Sequence, residues 1–291
     1  MKPARIYNRV TREIILPSIL LLCILSLTFP ALAQENFPIG GRAAALANAV
    51  VMESDIWSVY HNQAGLGEYH NFAIGFHHEN KYIIEEFGLH ALALSLPVKS
   101  GTLGLSYTYF GFPKYNESKL GLAFGKSFGE KLSAGVQMNY HYVYITDEYE
   151  NRHALTVEGG IQYKPIRTLR IGIHVFNPTR SRLSPVNIDT LITTLRAGIS
   201  YSPLEKLWMA LETEKSLNYK LRLKAGIEYE ILEGLYLRTG IITHPVQNTF
   251  GLGFKIKRID ADVAFTNTQT LGLVPHFSLQ FRLNKKVPLE G

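Results

Sequence analysis

The chain has a single cysteine in 291 residues, Cys23, and it lies within an apolar stretch near the N-terminus. One thiol supports neither a disulfide framework nor a thiolate metal site. Excess charge is also small. The formal +6 falls to +3 once the four basic residues and Glu13 of residues 1–33 are set aside, so charge argues for no nucleic-acid partner.

Patterns for chemistry are missing too. "GLAFGKS" (121–127) imitates a phosphate loop, but three residues separate Gly121 from Gly125 where that motif needs four. Leu120, Leu122 and Phe124 alternate there as a strand does. His77 and His78 are adjacent, so on a strand they point to opposite faces, and no third ligand stands at useful spacing. No metal and no cofactor is expected. An outer-membrane lipid hydrolase would need a serine and a histidine in contact. Ser133 and His141 share one strand face but stand eight residues apart, roughly 26 Å at strand rise. Cross-strand pairs such as His141 with Thr156 carry no specific signal. The expectation is a protein that is not an enzyme, with the hydrolase and a purely structural barrel as alternatives.

What is present begins with a secretory leader. Lys2, Arg5, Arg9 and Arg12 precede the apolar stretch Ile14 to Phe29, and Ala31-Leu32-Ala33 is a small-x-small cleavage site. Residues 1–33 therefore read as a signal peptide. An uncleaved anchor is the rival, but the stretch is short for a span of ~20 residues. Lipidation at Cys23 would need a small residue where Leu22 stands.

From Asn71 onward the period is two. In "YKLRLKAGIEYEI" (219–231), Leu221, Leu223, Ile227 and Tyr229 fall on one face, and Lys220, Arg222, Lys224 and Glu228 on the other. "LTVEGGIQY" (155–163) and "LSAGVQMNYHY" (132–142) divide in the same way. About 14 such runs begin near residues 71, 86, 101, 116, 131, 153, 167, 190, 205, 218, 234, 247, 259 and 272. Soluble sandwich strands are typically ~5–6 residues, whereas outer-membrane strands need ~9–11. These runs match the longer class.

Every other connection is tight, as in "PVKSG" (97–101), "FGEK" (128–131) and "LEGL" (232–235), while "NPTRSRLSPVNID" (177–189) is the longest of the rest. Outer-membrane barrels alternate short periplasmic turns with longer outer loops. Tyr109, Tyr144 and Tyr219 map to the outer end of their strands, and Tyr163, Tyr201, Tyr229 and Phe281 to the periplasmic end. The fold class predicted is all-β: a transmembrane antiparallel barrel over 71–284, in the outer membrane of a Gram-negative bacterium and in contact with its lipid. Both termini would be periplasmic, with a tail at 285–291. The alternative is a secreted β-sandwich with one wet face.

By alternation the lumen carries Glu158, Arg170, Arg196, Glu212, Lys220, Arg222, Lys224, Glu228, Arg238, Lys255 and Arg282, with Glu214 and Glu230 beside them. Two readings follow: a lumen braced by ion pairs, since isolated buried charge is costly, or a selective charged channel. On either, Leu223→Arg on the lipid face should be far more damaging than Lys224→Leu on the lumen face.

Residues 34–70 precede the first strand without alternation and are placed to fold back into the lumen as a plug, or hatch. Ala43 to Val51 is weakly helical, Ser54 is a candidate N-cap for a helix carrying Trp57 and Tyr60, and Gly65 suits a C′ position. Trp57 and Tyr60 are three apart and share a helical face.

"GGRAAALANAVVMESDIWSVYHNQAGLG" (40–67) resembles the N-terminal segment of FadL-type outer-membrane barrels, including the PorV/PorQ-like members associated with type IX secretion. That group has an Asn-Pro-Ala-Gly-Leu motif, matched by Asn62, Ala64, Gly65 and Leu66, with Gln63 in place of the proline. The resemblance implies a non-enzymatic barrel with an internal hatch. In one branch the hatch gates hydrophobic small molecules that leave sideways through the wall. In the other the barrel holds or shuttles secreted or periplasmic proteins.

Overall fold

In the computed structural model of the chain, residues 39–81, 84–146, 151–183, 191–217, 219–268 and 272–283 are described. The expected leader (1–33), the first residues of the plug segment and the expected tail (285–291) lie outside them. The described strands are β1 (Phe72–Asn80), β2 (Gly88–Val98), β3 (Gly101–Phe112), β4 (Tyr115–Phe128), β5 (Leu132–Ile145), β6 (Arg152–Ile166) and β7 (Leu169–Phe176). They continue with β8 (Thr194–Leu204), β9 (Leu207–Ser216), β10 (Arg222–Leu232), β11 (Leu235–Ile242), β12 (Gln247–Ile256), β13 (Ile259–Thr268) and β14 (Gly272–Leu283). Each pairs antiparallel with its sequence neighbours, and β1 pairs with β14 from Phe72↔Leu283 to Glu79↔His276, closing the barrel. Every strand begins within four residues of the start that alternation assigned.

Six turns, at 99–100, 129–131, 167–168, 205–206, 233–234 and 257–258, join strands at one end of the barrel, here called the turn end. Most connections at the other, loop end are longer. The β3–β4 connection departs from that rule, with only Pro113 and Lys114 between the strands. Gly111, at φ 111°, takes a backbone conformation there that a side chain would strain.

Burial runs opposite to that of a soluble protein. Outward positions are large and apolar on strand after strand: Leu122, Val136, Leu155, Leu211 and Leu223 are each at least half exposed. Tyr163, Tyr201, Tyr229 and Phe281 are also outward and exposed, near the turn end. An apolar belt around a closed barrel is the surface that lipid covers. Inward positions are polar and buried, among them Gln137, Asn139, His141, Thr156 and Glu158.

The apolar residues that are buried belong largely to residues 39–69, which form the plug. It contains α1 (Gly41–Ala45), α2 (Ser58–His61) and a 3-10 turn over Gln63–Gly67. Leu46, Met52, Ile56, Val59 and Leu66 are fully buried within it. Its local detail differs from the sequence reading. The helix at Gly41–Ala45 ends early because Ala47 and Asn48 adopt left-handed φ values of 57° and 56°. Ser54 caps no helix; its hydroxyl donates to the Gly65 carbonyl at 2.7 Å. Trp57 holds the N-cap position of α2 without a side-chain cap, and Gly65 lies inside the 3-10 turn rather than at a C′ position.

Candidate functional site

The plug lies against the barrel wall because the wall is thinned to receive it. Inward positions on successive strands are glycine where plug atoms approach. A Cβ on Gly104 would stand 2.6 Å from Val59, one on Gly226 2.8 Å from the Leu46 carbonyl, and one on Gly75 3.0 Å from the Trp57 ring. At Gly135 and Gly160 it would overlap the Gln63 and Asn62 positions. These inward glycines were missed in the sequence, although alternation assigns their face. Replacing one should evict the plug without touching the ladder. Gly135→Val is expected to leave a barrel that migrates as folded while residues 40–70 become open to protease, read by limited proteolysis in detergent.

Among the motif residues Asn62 ties plug to wall, and the others brace the plug itself. Asn62 Nδ2 donates to the Val51 carbonyl at 2.8 Å and to the Ile173 carbonyl of β7 at 3.3 Å, while Oδ1 accepts from Ala64 N–H at 3.1 Å. Gln63 Nε2 donates back to the Val59 carbonyl at 3.2 Å. Ala64 and Leu66 are fully buried, and at Gly65 a Cβ would overlap the Glu53 carbonyl. His61 is buried with Nε2 2.8 Å from the Ile39 carbonyl. Burial, with Arg196 nearby, pushes its imidazole well below the ordinary value. It is therefore neutral, and Nε2–H is the donor.

Trp57 and Tyr60 lie together, ring centroids 6.4 Å apart, in an apolar cluster with Ile56, Val59, Leu66 and the inward alanines of β2. Tyr60 reaches further. Its hydroxyl enters the wall at the Leu92↔Tyr107 pair of β2 and β3, 2.5 Å from the Leu92 carbonyl and 2.9 Å from the Tyr107 carbonyl. It also accepts from Tyr107 N–H at 3.1 Å. Burial holds the phenol well above its ordinary pKa, so it stays a donor. A plug side chain thus bonds to backbone groups of both members of a β2–β3 ladder pair. Outside that point is a groove of about 670 Å³ lined by Phe76, Leu92, Tyr107, Val263, Phe277 and Leu279, among others. It crosses the closure seam from β3 to β13.

The charges read as one lumen cluster form separate groups. Arg196, Glu212, Lys224 and Arg222 meet with Glu214: Arg196 Nε lies 2.7 Å from Glu212, and Lys224 Nζ lies 3.2 Å from Glu212 and 2.6 Å from Glu214. Glu228 and Arg238 form a second group with Asp262 and the plug's Arg42, whose Nε lies 2.8 Å from Glu228. Glu158 sits apart with Lys119 and His174. Arg170 pairs with Glu68, and Arg282 with Asp260, each near the turn end. Lys220 lies in the β9–β10 connection and is exposed, and Lys255 is exposed beside a polar cavity of about 260 Å³ at the plug's flank. Neither joins a buried group, because each stands where the strand reaches solvent. Arg42 was not singled out in the sequence, since a lone arginine in a non-strand segment has no pattern.

Neither a protein-family model nor a curated protein matches the chain. Solved structures do. The CymD monoaromatic hydrocarbon channel superposes with a TM-score of 0.68 at 12% identity, over 85% of this chain and 98% of that one. The toluene transporter TodX of Pseudomonas putida gives 0.61 at 11% identity, over 86% of this chain and all of TodX. A Pseudomonas aeruginosa FadL homologue gives 0.57 at 11% identity, over 84% and 98%. The fold is the one these barrels share. Identities this low carry the architecture alone. Of the residues behind the sequence resemblance, Asn62 bonds the plug to β7 at the Ile173 carbonyl, while Ala64 and Leu66 are fully buried beside it.

Proposed function

We propose that this chain is a non-enzymatic outer-membrane barrel for the passage of hydrophobic small molecules, with the plug as gate and the β2–β3 seam as lateral exit. The observation that carries the reading is the Tyr60 hydroxyl lodged between Leu92 and Tyr107, beside an apolar groove on the lipid side. A molecule that prefers lipid to water gains nothing by crossing a polar lumen to the far aqueous side. Release through the wall ends in the phase it prefers. The fold shared with hydrocarbon channels supports the same direction. The secretion-associated alternative needs a plug surface open to a protein partner, and residues 43–52 and 56–67 are almost wholly buried.

Tyr60→Phe tests the exit. Without the hydroxyl, Tyr107 N–H and the Leu92 carbonyl can pair directly and close the seam. Uptake of toluene by proteoliposomes is expected to fall several-fold, while leakage of a small sugar stays unchanged. Unaltered toluene uptake in a folded variant would remove the seam as the route.

A further inference from the structure

We propose that His77, Glu79 and His276 form a site for a zinc-class divalent cation that clasps the first strand of the barrel to the last. His77 and Glu79 are two apart on β1 and therefore share its inward face. His276 is the β14 residue directly opposite Glu79. One donor atom from each of the three lies within 4.8 Å of the others. The sequence reading expected no metal here because His78 points away from His77. It does so, pairing with His90 on the outside at 4.7 Å between rings. The missing ligand comes instead from a strand almost two hundred residues away, and only closure of the barrel supplies it.

The second observation is a set of buried ligand atoms that form no hydrogen bond. The three residues are 1–3% exposed. Both ring nitrogens of His77, Nδ1 of His276 and Oε2 of Glu79 have no hydrogen-bond partner. Buried polar atoms are rarely left so, and an ion is one standard resolution. Glu79 Oε2 and His276 Nδ1 approach to 3.4 Å, an ion-pair distance, without forming a hydrogen bond. On the far side of the His276 ring, Nε2 lies 3.0 Å from the Thr266 hydroxyl. With that hydroxyl accepting from Nε2–H, Nδ1 keeps its lone pair and its ring is held in orientation, as metal-bound histidines usually are.

Two imidazoles and one carboxylate suit zinc, with water as fourth ligand. Bonds of ~2.0–2.1 Å separate tetrahedral donors by roughly 3.3–3.5 Å, so modest side-chain rotation closes the site. Its setting gives it a role. β1–β14 is the only described pairing between strands not adjacent in sequence. His77 also meets the Trp57 ring edge-on at 6.3 Å, so the ion would sit against the plug.

The test uses the full chain in detergent, stripped with a chelator and titrated with Zn²⁺ by calorimetry, and with Co²⁺ by visible absorption. One equivalent of Zn²⁺ should bind. His77→Ala and His276→Ala should each weaken it at least about tenfold, and the isosteric Glu79→Gln should weaken it and change the Co²⁺ bands. His90→Ala should bind as the parent does. Heat-modifiable migration on a gel identifies folded variants, and Glu79→Gln serves should an alanine variant fail that check. Stoichiometric binding that survives in folded Glu79→Gln with unaltered Co²⁺ bands overturns the proposal. So does equal loss in His90→Ala, which would move the ion to the outward histidine pair, or no binding by the parent.

Discussion

Deletion of residues 41–66 is expected to yield a folded barrel whose conductance in planar bilayers exceeds that of the intact protein by about tenfold or more, since a 14-strand lumen is wide enough to hold water once emptied. All fourteen strand pairings run between wall residues, so the hydrogen-bonded ring does not need the plug. The wall does lose partners. Glu228 loses Arg42, and Glu212 loses the Val51 N–H that it accepts at 2.9 Å. Those carboxylates keep Arg238 and Arg196, and the water that floods the lumen solvates what remains. The apolar plug face carrying Ile56, Trp57 and Val59 leaves with the deletion, so little apolar surface is newly exposed beyond the inward alanines and glycines. Trp57→Ala should act in the same direction but less strongly, because one ring leaves a local gap rather than an open pore. Unchanged conductance in a folded deletion variant would mean that the segment does not occlude the lumen.

The second large effect reverses a sequence-based expectation. Leu223→Arg and Lys224→Leu should both be strongly destabilising. Leu223 is half exposed on the outward face, and an arginine there meets lipid, at a cost of roughly 2–4 kcal/mol. From alternation alone, Lys224→Leu is mild, since it exchanges a lumen charge for a carbon side chain of similar reach. In the fold Lys224 is buried and is bonded to both Glu212 and Glu214. Removing it leaves two carboxylates sharing Arg196 and the half-buried Arg222. Breaking a buried ion group by deleting one partner costs roughly 3–5 kcal/mol. Equilibrium unfolding in urea from lipid vesicles should give comparable losses for the two variants. A Lys224→Leu loss below about 1 kcal/mol would mean that the group is solvated, as exposed pairs of that worth are. The double variant Lys224→Leu/Glu214→Gln should recover part of the loss, because it removes one of the stranded charges.

How much of this was legible can be judged residue by residue. Leu155, Val157 and Ile161 against Thr156, Glu158 and Gln162 state which face of β6 meets lipid, and the structure keeps that division. The turn at 233–234 follows from Glu233-Gly234 between two alternating runs. That Trp57 and Tyr60 would share a face was legible from their spacing. That Tyr60 would leave the plug and enter the wall was not. Nothing local to Tyr60 refers to Leu92 or Tyr107, which stand 32 and 47 positions away.

Alternation of side chains is a property of each strand taken singly, because successive Cβ atoms point to opposite faces whatever the neighbours are. The barrel, its strand count and its two faces were therefore determined by the sequence alone. Pairing partners across the lumen depend on register, shear and closure, which no single strand encodes. Those decided that Arg42 of the plug meets Glu228, that Glu158 stands apart from the other charges, and that inward glycines form a seat. The meeting of His77 and Glu79 with His276 came last of all, because it required the two ends of the barrel sequence to be brought side by side.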